Sequence, residues 1–139
     1  MAEDSEQSVA AALIDHILPL APDLEERLRA GIDVLDAGCG RGLALVELAR
    51  AFPQSRFVGM DLCQDATDYA RLAARNAGLS DIAFEARDLT GYCEPGRFDL
   101  ITSFDTVHDQ KDPTALVRGL RGSLRNAGVY LMQDIGGAA

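Results

Sequence analysis

Five aspartates stand where apolar runs end: Asp36, Asp61, Asp88, Asp105 and Asp134. The first opens Asp36-Ala37-Gly38-Cys39-Gly40-Arg41-Gly42, an Asp-x-Gly-x-Gly-x-Gly spacing. A glycine-rich turn between a strand and a helix brings backbone N–H groups up to a ligand, often a phosphate. The dinucleotide spacing is not met here, because its third glycine would fall on Leu43. The lead acid Asp36 would also repel a phosphate. An acid beside the turn suits a ligand carrying positive charge. A nicotinamide-dependent oxidoreductase shares the βαβ opening and an acid at the position of Asp61. Leu43 and Asp36 argue against it.

Acid–base chemistry has one well-placed candidate. His108 follows the fourth expected strand, and a histidine titrates near neutrality. It either faces a substrate or shapes its loop with Asp105 or Asp109. His16 falls in the first expected helix, partly exposed or stacked over the site. Taken singly, the acids have plainer readings: Asp36 as a strand-end cap, Asp61 as a solvated acid, Asp88 as a turn residue, while Asp134 either faces substrate or caps its strand. Cys39 reads as a small filler of the turn rather than a reactive thiol. Five acids on one rim are what those readings leave unexplained.

The elements that must position these residues follow from periodicity. After a frayed tail at 1–7, Val9, Leu13, Ile14, Ile17 and Leu18 recur at helical spacing up to Pro19. Asp23 and Glu26 are placed like a capping box for a short second helix, with Leu24 and Leu28 inward and Gly31 as its stop. A strand at 32–35 leads into the glycine turn, and a helix over 43–52 ends at Pro53. A strand at 56–60 ends on Asp61. Ala66, Tyr69, Ala70 and Ala73 mark the inner face of the next helix, closed by Gly78. Alternation at 82–86 predicts a third strand, 89–96 a loop with Gly91, Pro95 and Gly96, and 98–104 a fourth strand. Asp112 and Pro113 start a helix with Leu116, Val117, Leu120 and Leu124 inward, which residues 126–128 close before a fifth strand at 129–135. Alternating strands and helices predict an α/β fold: a parallel sheet with helices on both faces and a ligand at the strands' C-terminal ends.

Composition bounds the rest. The chain has 139 residues, enough for one domain with a core. Its net charge is −9, with 22 acidic against 13 basic residues, which disfavours nucleic acid as a partner. Cys39, Cys63 and Cys93 form no zinc or disulfide framework, so reduced thiols, a cytoplasmic setting and no bound metal are expected. No apolar run approaches the roughly 20 residues that span a bilayer, and the acidic start is unlike a signal peptide.

Four stretches together carry a resemblance: VLDAGCGRG at 34–42, FVGMD at 57–61, ARD at 86–88 and FDLITSFD at 98–105. They resemble the class I S-adenosylmethionine-dependent methyltransferases, over residues 32–135. FDTVHDQKDP at 104–113 and GVYLMQD at 128–134 are similar to a bacterial subgroup that usually carries a preceding winged-helix domain. The resemblance implies a Rossmann-like three-layer sandwich of about five strands in the order 3-2-1-4-5. It implies one domain over 1–139, with N-terminal helices in 1–31 and the cofactor-binding core in 32–135. It further implies S-adenosyl-L-methionine as cofactor, S-adenosyl-L-homocysteine as product and a small-molecule methyl acceptor.

The residue roles are likewise what the resemblance implies. Gly38, Cys39, Gly40 and Gly42 pass close to the methionine part of the cofactor, and Asp36 lies near its ammonium group or organises the turn. Asp61 accepts from both ribose hydroxyls, Leu62 packs on the adenine, and Asp88 accepts from the adenine amine with Leu89 beside it. Phe104 and Asp105 border the methionine and the methyl group, and His108 is the candidate base. Family members continue after the fifth strand with a helix and an antiparallel hairpin. The expectation here is a cofactor half without that hairpin or the winged-helix domain, as an excised fragment or a naturally short protein. A non-catalytic cofactor-binding module or subunit is the alternative function. An apolar fifth strand at the edge would pair with another chain, such as a second copy, be covered by the N-terminal helices, or promote aggregation.

Overall fold

A computed structural model of the chain describes residues 23–104 and 113–133. The expected first helix, His16, Asp105, His108, Asp109, Asp112 and Asp134 lie outside the described residues. The elements run α1 (Leu24–Ala30), β1 (Asp33–Ala37), α2 (Leu43–Ala51), β2 (Arg56–Asp61), α3 (Gln64–Asn76), β3 (Ile82–Ala86), β4 (Phe98–Phe104), α4 (Pro113–Gly122) and β5 (Leu124–Gln133). Every strand pair is parallel, and the sheet order is β3-β2-β1-β4-β5, as the resemblance implied.

Both faces of the sheet are buried, which is why its central strands read as apolar runs rather than alternations. Val34, Phe57, Phe84 and Leu100 pack on one face against α1, α2 and α3. Leu35, Met60 and Ile101 pack on the other against Leu116 and Leu120 of α4. The connection between β3 and β4 was expected to be a plain loop. It supplies two members of that second core, Leu89 and Tyr92.

Three local expectations are corrected. Asp23 precedes α1, but its side chain makes no capping bond. Its backbone sits at φ −92°, ψ 5° rather than in the extended region from which a cap side chain reaches N–H groups. The buried face of α3 is Thr67, Ala70 and Ala74, and Tyr69 lies outside it beneath the guanidinium of Arg41, 4.7 Å from the ring centre. Finally, α4 stops at Gly122 and β5 begins at Leu124, with a register break before Val129. Ser123 is the cause. Its hydroxyl donates back to the Gly119 carbonyl, while its own carbonyl accepts from Arg97 N and Phe98 N, both at 3.0 Å. The chain is thereby handed from the helix to the edge of β4.

Candidate functional site

The glycine turn hangs from the end of β2. Gly38 N and Cys39 N both donate to the Met60 carbonyl, at 2.7 and 3.0 Å. Gly38, Gly40 and Gly42 all have φ between +56° and +77°, a region that glycine enters without the Cβ penalty. Gly42 is required by packing as well. A Cβ there would lie 2.8 Å from both Ala70 Cβ and Phe84 Cε1. Gly59 on β2 meets the same ring: a Cβ would lie 2.7 Å from Phe84 Cδ1 and 2.9 Å from Cys39 Sγ. One phenyl ring from β3 thus wedges between the turn and the sheet. A Cβ on Gly40 would meet nothing within 4 Å, so the turn is open there.

Asp61, the last residue of β2, clamps the turn. Its Oδ2 accepts from Gly40 N at 2.8 Å and its Oδ1 from Cys63 N at 2.9 Å. A carboxylate offers about four acceptor positions, and the described residues fill two of those of Asp61. Leu62 beside it is 75 % exposed, an unusual place for a large apolar side chain. Asp88 lies two residues past β3 and accepts from Thr90 N at 2.9 Å. Leu89 next to it is buried in the second core, so its side chain supports the turn instead of lining the rim.

Asp36 is the deepest acid, 2 % exposed. Its neighbours across the sheet are Gly59 on β2 and Thr102 on β4. Thr102 Oγ1 donates to Asp36 Oδ1 at 3.1 Å. Burial pushes the Asp36 carboxyl up to about 7, the Thr102 hydroxyl opposes the rise, and the charge of Asp61 adds to it. Burial, with Asp36 and Asp61 nearby, also drives the Cys39 thiol far above its ordinary value. Burial and the nearby acids thus disfavour the thiolate of Cys39. The side chain fills space beside Gly59, as its sequence reading held.

The rim so built presents carboxylates to a ligand, and among the described residues no arginine pairs with Asp36 or Asp61. That donor set fits a cofactor with cationic and hydroxyl groups and does not fit a polyphosphate. Among the described residues no cluster of three His, Cys, Asp or Glu could hold a metal. Phe104 ends β4 at the same rim. Sequence reasoning did not single out Thr102, Gly59 or Phe84. Their signals were weak: a hydroxyl inside an apolar strand, and a glycine inside another.

A family model described as a methyltransferase domain matches residues 28–138. The ubiquinone biosynthesis O-methyltransferase of Xanthomonas euvesicatoria pv. vesicatoria (strain 85-10) is 32 % identical over 107 residues, covering 76 % of this chain and 44 % of that protein. The chain thus spans under half the length of this curated relative. Among solved structures, StiE O-MT is 27 % identical with a TM-score of 0.70, over 79 % of this chain and 40 % of that one. The [4+2]-cyclase SpnF is 25 % identical with a TM-score of 0.68, over 72 % of this chain and 37 % of that one.

Proposed function

The chain belongs to the S-adenosylmethionine-dependent methyltransferase domain family, and on that premise we propose that the C-terminal rim of β1, β2 and β3 binds the cofactor for methyl transfer to a small molecule bearing a hydroxyl group. The observation that carries this reading is the Asp61 clamp, which ties the glycine turn to the acid best placed for two ribose hydroxyls. When bound, the cofactor supplies a methyl group activated by a sulfonium. The chain's own residues hold and orient. Asp61 would accept from the ribose, the exposed Leu62 would cover one face of the adenine, and Asp88 would accept from its amine. Asp36 faces the cationic end with Gly38, Gly40 and Gly42 allowing close approach. Phe104 and Asp105 are assigned to the border of the methyl group from the family resemblance alone. Displacement at a methyl carbon needs the acceptor held in line and close. As an O–C bond formed, the sulfonium's bond to the methyl would break and leave S-adenosylhomocysteine, and the hydroxyl proton would go to His108, the residue assigned to take it. The choice of a hydroxyl rests on relatives named O-methyltransferases.

Titration calorimetry of the chain with S-adenosylmethionine and S-adenosylhomocysteine tests the reading. We expect both to bind, and Asp61→Ala to weaken binding by about 10- to 100-fold, the worth of one to two hydrogen bonds to a charged group. Unchanged binding in that variant would sink the assignment.

The fold of the [4+2]-cyclase SpnF supports a second reading, a cofactor-binding module that transfers no methyl group by itself. Binding without turnover across a broad panel of acceptors favours it, and robust turnover by this chain excludes it. No described helix is long and apolar enough to cross a membrane. Free Cys39, Cys63 and Cys93 support a cytoplasmic location. The outer edge of β5 pairs with no other described strand, which supports strand pairing to a second copy.

A further inference from the structure

Thr102 has one hydroxyl hydrogen and two acceptors within reach: Asp36 Oδ1 at 3.1 Å and the Leu35 carbonyl at 3.5 Å. All three groups are buried. The arrangement therefore has two bonded states. With Asp36 ionised, the hydroxyl donates to its carboxylate. With Asp36 protonated, the carboxyl donates into Thr102 Oγ1 and the hydroxyl turns to Leu35. Only the first state leaves the Asp36 oxygens purely as acceptors.

Among the described residues, the titratable groups that act around Asp36 are Asp61 at the end of β2 and Cys39 in the turn. The strand neighbours directly opposite it are Gly59 on β2 and Thr102 on β4, neither charged. No ionisable group of α2 or α3 contributes. Thr102 is thus the one described side chain whose hydrogen bond favours the ionised form, against burial and a neighbouring acid that both oppose it.

We propose that Thr102 is a positioning residue that turns Asp36 into an ionised acceptor for the cationic end of the cofactor, so that cofactor binding draws a proton off Asp36. The inference rests on the cofactor reading above and adds to it a residue and a proton. Balance is simple. The positive charge arrives, Asp36 loses one proton to solvent, and Thr102 moves its hydrogen from Leu35 to the new carboxylate. No bond of the cofactor changes. At a pH where Asp36 is already ionised, no proton is released and binding is at its tightest.

The test is calorimetry with S-adenosylmethionine between about pH 6 and about pH 9, in buffers of different ionisation heat, on wild type, Thr102→Val and Thr102→Ser. Wild type should release up to one proton at the acid end, with affinity rising by as much as ~10-fold per pH unit until it levels. Thr102→Val keeps the shape and loses the donor. Its rise should move to higher pH, and its affinity should return to that of wild type at the alkaline end. Thr102→Ser should follow wild type throughout. Carbon-13 titration of the Asp36 carboxyl without cofactor should show the same upward displacement in Thr102→Val, which separates the effect from damage to the fold. A constant loss of affinity at every pH in Thr102→Val, or no proton release by wild type, overturns the inference while leaving the cofactor reading intact. Absence of wild-type binding at every pH overturns both.

Discussion

The two rims of this sheet carry acids in equal prominence and use them in opposite ways. At the N-terminal rim, Asp33 opens β1 and Asp99 sits second in β4. Asp33 Oδ1 accepts from Arg56 Nε at 2.6 Å, and its Oδ2 from Arg125 Nη1 at 2.8 Å. Asp99 Oδ2 accepts from the same Arg125 Nη1 at 2.7 Å and from the backbone N–H of Asp33 at 3.0 Å. Arg27 of α1 reaches Asp99 Oδ1 at 3.9 Å and the Ala127 carbonyl at 3.0 Å. Here arginines join α1, β1, β2, β4 and the start of β5. At the C-terminal rim, among the described residues, Asp36 and Asp61 accept from backbone N–H groups and one hydroxyl. The charges of the first rim are matched within the fold. Those of the second meet no arginine among the described residues, and burial works against the charge of Asp36.

The pH dependence of the two rims should differ in sign. Burial pushes Asp33 up, but Arg56 and Arg125 outweigh it and leave the carboxyl below its ordinary 3.8. Its contribution is present above 3.8 and is lost as pH falls through the lower folded value. Asp36 lies the other way, with a folded value of about 7 above an ordinary 3.8. The folded state keeps the proton longer, so this contribution is full below about 4 and is lost as pH rises through about 7.

The comparison breaks most easily at Asp99. Replacing it with Ala strands the Asp33 N–H and removes a partner from Arg27 and Arg125 together. We expect a loss of about 2–3 kcal/mol by denaturant unfolding near neutral pH, with cofactor affinity unchanged. A large affinity loss with stability intact would show that the rims are not separable. Asp36→Asn is the converse. Near pH 8 it should gain about 1–2 kcal/mol in the cofactor-free protein, because a buried charge is no longer required there. The gain should be smaller near pH 5 and vanish only below about 4, where the carboxyl is protonated in the folded and the unfolded chain alike. Cofactor affinity should fall at both pH values.

Which parts of this contrast the sequence revealed depends on how far apart the interacting residues lie. The C-terminal rim was legible because its acids follow apolar runs and its glycines have a fixed spacing, both local patterns. Strand order followed from the family resemblance carried by those same motifs. The partners were not legible. Thr102 meets Asp36 across 66 residues of chain, and Arg125 meets Asp33 across 92. Neither pairing leaves a periodic trace. The same holds for Phe84, whose ring makes Gly42 and Gly59 obligatory from a third strand. The inner face of α3 was misjudged for this reason: Ala70 turns inward toward Gly42, while Tyr69 turns out beneath Arg41. The end of α4 was placed too late because Leu124 continues the helical apolar spacing. Ser123 overrides that spacing through bonds to Gly119, Arg97 and Phe98.

The smallest expected effect is the sharpest check on the N-terminal rim. Arg56 Nε makes the shortest contact in that cluster, yet its side chain is 56 % exposed. An exposed ion pair is screened and gives back much of its gain in side-chain entropy. Asp33 also keeps Arg125 when Arg56 is lost. Arg56→Ala should therefore cost only about 0.2–1 kcal/mol in dilute buffer, and less in molar salt, where the screening length shrinks to about 3 Å. The acid limb of the stability curve should move slightly to higher pH, since Asp33 loses one of the two cations that hold its value down. Cofactor binding, at the far ends of the same strands, should not change. A cost several times larger and independent of salt would mean that the cluster acts as one desolvated unit, and the N-terminal rim would then be a fixed electrostatic core rather than a screened surface network.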